Sequence, residues 1–205
     1  SEAPFPEEIN RAMISRLAKW HFSPTKINKK NLLLENIPQE QIFVTGNTVI
    51  DALFWTLQII EASPNKKQKI EKALEKYTTS NILSEKFILI TGHRRENIGL
   101  GLKNICLAIK HLSKKFKKIH FLYPVHFNPK VNTMVKSILS DINNVHLTNP
   151  IPYEEFIYLM KKCLFVITDS GGVQEEAPSL GKPVLVLRQV TERPEGIKAG
   201  TVKVI

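Results

Sequence analysis

The sequence predicts an α/β fold in which a parallel sheet is flanked by helices. Three observations carry this reading. From Lys86 onward, short apolar runs alternate with longer amphipathic stretches, the order that builds parallel strands joined by crossover helices. The strand-like runs are apolar nearly throughout, as expected of a sheet covered on both faces. Polar turns follow four of those runs, at the carboxyl ends of strands, where open parallel sheets place their ligands.

The elements follow in order. "FPEEINRAMISRLAKWHF" opens with Pro6 and two acids, which suit a helix N-terminus, and Ile9, Met13, Leu17 and Trp20 recur at helical spacing. "QIFVTG" reads as a short strand. "NTVIDALFWTLQIIEA" reads as a helix opened by Asn47 or Thr48, and the lysine-rich residues 65–77 as another helix. Residues 1–82 therefore read as mostly helical. Next come strand "KFILITG", helix "GLGLKNICLAIKHLSKKF", strand "KIHFLYPV", helix "NPKVNTMVKSILSD", strand "NVHLTN" and helix "PYEEFIYLMKKC". Strand "CLFVITDSGG", short helix "VQEEAPSLG" and strand "KPVLVLR" complete the alternation, and "GTVKVI" begins one more strand. Residues 83–205 thus form one Rossmann-like domain. The opening helix has no evident sheet to pack on, and the last strand lacks a closing helix. Both point to part of a longer chain.

At 205 residues, 42% hydrophobic and 23% charged, the composition is that of an ordinary globular protein. No apolar run approaches the ~18 residues of a membrane span, and the N-terminus lacks a basic-then-apolar signal pattern. Cys106 and Cys163 sit in separate apolar segments and read as reduced core residues of a cytoplasmic protein. The net charge of +10 invites a nucleic-acid partner. Much of the excess, however, lies in "NKKQKIEKALEK" and "KKFKK", which read as solvated helix faces. An anionic small ligand suits the charge equally well, and no nucleic-acid or membrane partner is expected.

The strand exits carry the chemistry. "CLFVIT" delivers the chain to Asp169-Ser170-Gly171-Gly172. Glycines there allow positive-φ turns and close approach of a phosphate to backbone amides, and Ser170 adds a hydroxyl. Glu175 and Glu176 follow so closely that one must point away from a phosphate, and a carboxylate at that place suits the two hydroxyls of a ribose. The plainer reading is a tight strand–helix turn with solvent-facing acids. "LITGHRREN" places His93, Arg94 and Arg95 after a second strand, as acid–base and anion-binding groups or as a surface turn. "LYPVHFNP" places His126 before a helix cap, which by itself is a structural position. "NPIPYEEFIYLM" offers Tyr153 and Phe156 as an apolar wall for a base or as core aromatics. No GxGxxG follows a strand and no GxxxxGK[ST] is present, which disfavours dinucleotide redox chemistry and P-loop phosphate binding. No metal-ligand spacing appears, and no cofactor is expected.

"FVTGNTVIDAL", "TGHRREN", "YPVHFNP", "DSGGVQEEAPSLGKPVLVLR" and "TERPEGIKAGT" together resemble the non-hydrolysing bacterial UDP-N-acetylglucosamine 2-epimerases, in that family's order and over essentially the whole chain. The resemblance implies a glycosyltransferase-B-like architecture of two Rossmann domains with the active site between them. Residues 1–82 would then be the end of the first domain and the interdomain connection, and 83–205 the UDP-binding domain. It implies interconversion of UDP-N-acetylglucosamine and UDP-N-acetylmannosamine by elimination and re-addition of UDP. It further implies polysaccharide biosynthesis as the setting and a homodimer for the full-length protein.

Carried over by residue, His93 and Glu7 resemble catalytic groups. Ser170, Gly171 and Gly172 resemble the diphosphate cradle, and Glu176 the ribose-binding acid. Phe156 resembles a uracil-side contact and Arg193 a further substrate-side residue. Arg95 and His126 resemble positions near a regulatory substrate site. Family members extend well before Ser1, so this chain alone is expected to be inactive. The competing readings are a hydrolysing epimerase, a non-catalytic UDP-sugar-binding remnant and a glycosyltransferase of the same fold.

Overall fold

The computed structural model describes residues 6–77, 82–92, 94, 97–188, 191 and 193–205. The chain divides into two compact units, Ser1–Asp51 and Ala52–Ile205. The division falls inside a helix, earlier than the sequence reading placed its junction. Side-chain burial gives the reason. Ile60, Ile70 and Leu74 share one apolar cluster with the sheet residues Phe87, Leu89 and Val166, so the helices that carry them belong with the sheet.

The first unit contains α1 (Glu7–Leu17), β1 (His21–Ser23), α2 (Lys26–Leu34) and β2 (Ile42–Val44). It is less helical than its sequence suggested. The helix expected to run to Phe22 ends at Leu17, where Ala18 turns extended at φ −70°, ψ 133°. His21–Ser23 then pairs in parallel with Ile42–Val44, so the region does hold a small sheet. Three residues are too few to show strand periodicity, which is why β1 escaped notice. Thr25 caps α2, its Oγ1 accepting the Asn28 amide at 3.3 Å. The helix stops at Asn36, whose φ of 62° lets the Asn36 and Ile37 amides donate to Leu33 and Leu32 carbonyls at 3.1 Å. Arg11 links α1 to the end of α2, donating to Glu8 and Glu35 at 2.7 Å each. Its hydrogen bond holds the Glu8 carboxyl below its ordinary range.

The second unit is built on six parallel strands: β3 (Phe87–Thr91), β4 (His120–Pro124), β5 (Val145–Thr148), β6 (Val166–Thr168), β7 (Val184–Val186) and β8 (Val202–Val204). Their spatial order is β5-β4-β3-β6-β7-β8, the doubly wound order with a switch point between its two central strands. The intervening helices are α5 (Leu100–Lys115), α6 (Pro129–Leu139), α7 (Tyr153–Lys162), α8 (Val173–Ser179) and the short α9 (Pro194–Lys198). Before the sheet come α3 (Thr48–Ala62), which begins in the first unit, and α4 (Pro64–Glu75). Every expected strand and helix after Lys86 is present; α9 was not anticipated.

Strand residues alternate between two cores. Phe87, Leu89 and Val166 pack with Tyr158, Leu159 and Ala177 on one face. Ile88, Ile90 and Ile167 pack with Leu102, Cys106 and Val131 on the other. The two cysteines therefore lie on opposite faces, and burial pushes each thiol up to about 11, as inert core residues. No helix among the described residues is long and apolar enough to cross a membrane.

At the opposite end of β4 from its exit, His120 Nδ1 lies 2.7 Å from His146 Nε2, with the rings stacked at 5.0 Å between centroids. One nitrogen must donate and the other accept, so protonating both rings breaks the bond. Burial, then the His120 charge, lowers the pKa of the His146 ring from 6.5. A depressed base binds fewer protons folded than unfolded, so stability falls as pH drops through the unfolded value. Thermal melts between about pH 8 and about pH 5 should show a steeper loss in the wild type than in His146→Gln. Identical slopes would contradict this account.

Candidate functional site

The site grows from two neighbouring strands that end level. Thr91, the last residue of β3, is in register with Thr168, the last of β6, and their hydroxyls are 2.5 Å apart. The Thr168 hydroxyl also accepts the Ser170 amide at 2.9 Å, which starts the turn beyond β6. Asp169, only 1% exposed, joins the two exits. Its Oδ2 accepts the Arg94 amide at 2.9 Å and the Asn97 side-chain amide at 3.1 Å. The same Asn97 group donates to the Leu187 carbonyl at 3.0 Å, so it braces three strand exits at once. Hydrogen bonding of this kind offsets the desolvation of a buried carboxylate. Below it, the Tyr123 hydroxyl donates to the Gly92 carbonyl. A Cβ on Gly92 would sit 3.0 Å from that hydroxyl oxygen, which explains glycine there.

Ser170, Gly171 and Gly172 form the turn into α8, as the motif required. The expected reason needs correction: neither glycine has positive φ, and Gly172 sits at φ −65°, ψ −46°. What the missing side chains provide is room. A Cβ on Gly172 would meet no atom within 4 Å, so its outer side is open, whereas one on Gly171 would lie 3.4 Å from the Arg193 guanidinium carbon. The left-handed glycine of this segment is Gly181, at φ +70°, which ends α8 by turning the Gly181 and Lys182 amides back onto Pro178 and Ala177. With seven residues, α8 has little macrodipole, so any anion affinity rests on the turn amides and Arg193.

The two glutamates diverge. Glu175 Oε1 accepts from Arg193 Nε at 2.8 Å. Glu176 is buried at 8% exposure. Burial first, then the Glu175 charge, raises its carboxyl above the ordinary range. Burial and the Glu176 charge raise the phenol of Tyr153, at the start of α7, so this aromatic is an electrostatic neighbour of the carboxylate. Phe156, one turn further along α7, is half-buried and packs against the core on that face.

Other expected residues are more dispersed. Glu7 is exposed in the first turn of α1, in the first unit. His126, exposed beyond β4, accepts the Asn128 amide on Nδ1 at 3.1 Å, and Asn128 in turn caps α6 through the Lys130 amide. That is a helix-entry role. His93 and Arg95 lie outside the described residues. The sequence reading missed Asp169, Asn97, Gln174 and Thr191 as organisers of the turn. Gln174 donates to the Ser170 carbonyl at 3.2 Å and accepts from the Thr191 hydroxyl. Only the position of Asp169 within "DSGG" signalled any of them.

Comparison with known proteins gives this geometry a family. A family model described as UDP-N-acetylglucosamine 2-epimerase matches residues 1–205. The chain is 52% identical over 203 residues to the UDP-N-acetylglucosamine 2-epimerase of Neisseria meningitidis serogroup A, covering 99% of this chain and 53% of that protein. It is 51% identical to the one from Campylobacter jejuni, covering 98% and 52%. The crystal structure of the N. meningitidis epimerase bound to UDP-GlcNAc superposes with a TM-score of 0.91 at 51% identity, over 98% of this chain and 53% of that one. A co-structure of S. aureus MnaA with UDP gives 0.86 at 45% identity, over 100% and 52%. The chain thus spans about half the length of the curated relatives it matches, and throughout its own length it belongs to the UDP-N-acetylglucosamine 2-epimerase family.

Proposed function

We propose that this chain carries the uridine-diphosphate-binding part of a UDP-N-acetylglucosamine 2-epimerase, with the diphosphate on the Ser170–Gly172 turn and the ribose on Glu176. The observation that carries the reading is the juxtaposition at the β6 exit. An open glycine turn, an arginine beside it and a buried carboxylate one turn on lie together. Amides and guanidinium suit phosphate oxygens. A desolvated carboxylate is a strong acceptor for two vicinal hydroxyls. The half-buried Phe156 and the exposed Tyr153 offer faces for a uracil ring. The relatives' bound UDP-GlcNAc and UDP support the same ligand class.

In the reaction so assigned, a base removes the C2 proton of the sugar while UDP leaves C1. UDP re-adds after the proton returns on the other face, and no redox step is involved. The site's contribution is to hold the departing UDP in place between the two steps. His93 and Glu7 are the proposed proton-handling groups, on the family pattern. Arg95 and His126 are the proposed regulatory contacts.

A ligand series tests the reading by calorimetry. UDP should bind the chain more tightly than UMP, and UMP more tightly than uridine. Equal affinities, or no affinity for UDP, would overturn it. The chain by itself should show no steady conversion of UDP-N-acetylglucosamine, because positioning and charge stabilisation need the rest of the cleft; sustained turnover would contradict that.

Glu176 gives a sharper test through its raised pKa. Its ionisation costs the folded state stability once pH rises through the folded value. At neutral pH, Glu176→Gln should stabilise the free chain and weaken UDP binding roughly tenfold or more. A variant that binds UDP as well as the wild type removes Glu176 from the site, and a less stable variant contradicts the cost assigned to its burial.

A further inference from the structure

We propose that Glu175 is a positioning residue that holds the Arg193 guanidinium over Gly171, in place to meet the phosphates of a nucleoside diphosphate. The inference rests on the nucleotide reading above and adds a role that the ribose and phosphate assignments leave open. A second acid beside a phosphate turn is otherwise an electrostatic liability, since it repels the ligand and raises the Glu176 carboxyl.

The geometry shows what Glu175 does instead. Its Oε1 accepts from Arg193 Nε at 2.8 Å, with the two side chains 20% and 32% exposed respectively. That bond engages the inner nitrogen, and the guanidinium stands over the turn. Nη2 and Nη1 lie 3.5 and 3.6 Å from where a Gly171 Cβ would stand. The backbone of Arg193 is tied to the same turn by a separate route. Its amide donates to Thr191 Oγ1 at 3.1 Å, that hydroxyl donates to Gln174 Oε1, and Gln174 Nε2 donates to the Ser170 carbonyl at 3.2 Å. Arg193 is therefore fixed at both ends by consecutive residues of α8.

An arginine side chain is rich in rotamers, and ordering it before the ligand arrives removes that ordering cost from binding. The opposing term is repulsion between Glu175 and the diphosphate. Pairing with Arg193 at 2.8 Å offsets much of the charge that Glu175 would otherwise turn on the diphosphate.

The test is a set of UDP and uridine titrations on the 205-residue chain and its variants. Glu175→Ala should weaken UDP binding by about tenfold and leave uridine binding unchanged. Glu175→Gln, which keeps the acceptor and drops the charge, should restore UDP affinity to the wild-type value or better. In an Arg193→Ala background, Glu175→Ala should have no further effect. Tighter UDP binding by Glu175→Ala would show that repulsion dominates and overturn the proposal; so would an equal loss with or without Arg193. A ligand-independent readout separates this from the nucleotide reading itself. The Arg193 Nε–H should exchange slowly with water in the free wild type and in Glu175→Gln, and rapidly in Glu175→Ala. If the wild type fails to bind UDP, the nucleotide reading falls. Unchanged Nε–H exchange in Glu175→Ala overturns the positioning role.

Discussion

Everything at the candidate site depends on two parallel strands ending side by side. β3 and β6 are neighbours in space although three helices and two strands separate them in the chain. Because Thr91 and Thr168 are in register, the segments that follow begin at one level and diverge to opposite faces of the sheet. The crevice between them is the place where a parallel sheet exposes backbone polar groups without sacrificing its core. Asp169 converts that topology into fixed geometry. Buried and hydrogen-bonded to both the Arg94 amide and Asn97, it sets the β3 exit against the turn that Ser170 opens. A carboxylate removed from water persists only where donors replace the water, so its burial implies that these bonds are made in the folded chain.

Charge at the turn is distributed with a cost to stability. Two adjacent acids in the first turn of α8 are neither screened by solvent nor equivalent. One finds a guanidinium, and the other is desolvated and destabilised as an anion. Local conflict of this sort is typical of places where function overrides folding preference. It stands in contrast to α4 and α6, whose first turns are closed by the Ser63 and Asn128 side chains. The first unit shows no comparable conflict at α1, where Arg11 compensates both Glu8 and Glu35.

How much of this was legible in the sequence follows from the length and periodicity of each segment. The strands of the second unit were readable because burial on both faces makes them nearly continuous apolar runs, and α5, α6 and α7 because they are long and amphipathic. β1 was not, since three residues of a two-stranded sheet leave no pattern, and neither was α9, a five-residue helix behind Pro194. The glycine turn was found at its correct place for a partly mistaken reason. Glycine in such a turn suggests a left-handed backbone, whereas at Gly171 and Gly172 it marks space beside Arg193 and beside solvent. That Ser170, Gly171 and Arg193 converge was implied by family resemblance. The ion pair that holds Arg193 spans eighteen residues and is a tertiary fact that no local pattern encodes.

The central claim is that main-chain amides at the β6 exit hold a nucleoside diphosphate. Backbone amide resonances of the isotopically labelled chain, followed while UDP is added, test it most directly. The account predicts saturable shifts at Ser170, Gly171 and Gly172, with Tyr153 and Phe156 on α7 moving in step, while the left-handed Gly181 at the far end of α8 stays in place. Shifts that centre on another part of the molecule, or none at all, would contradict it.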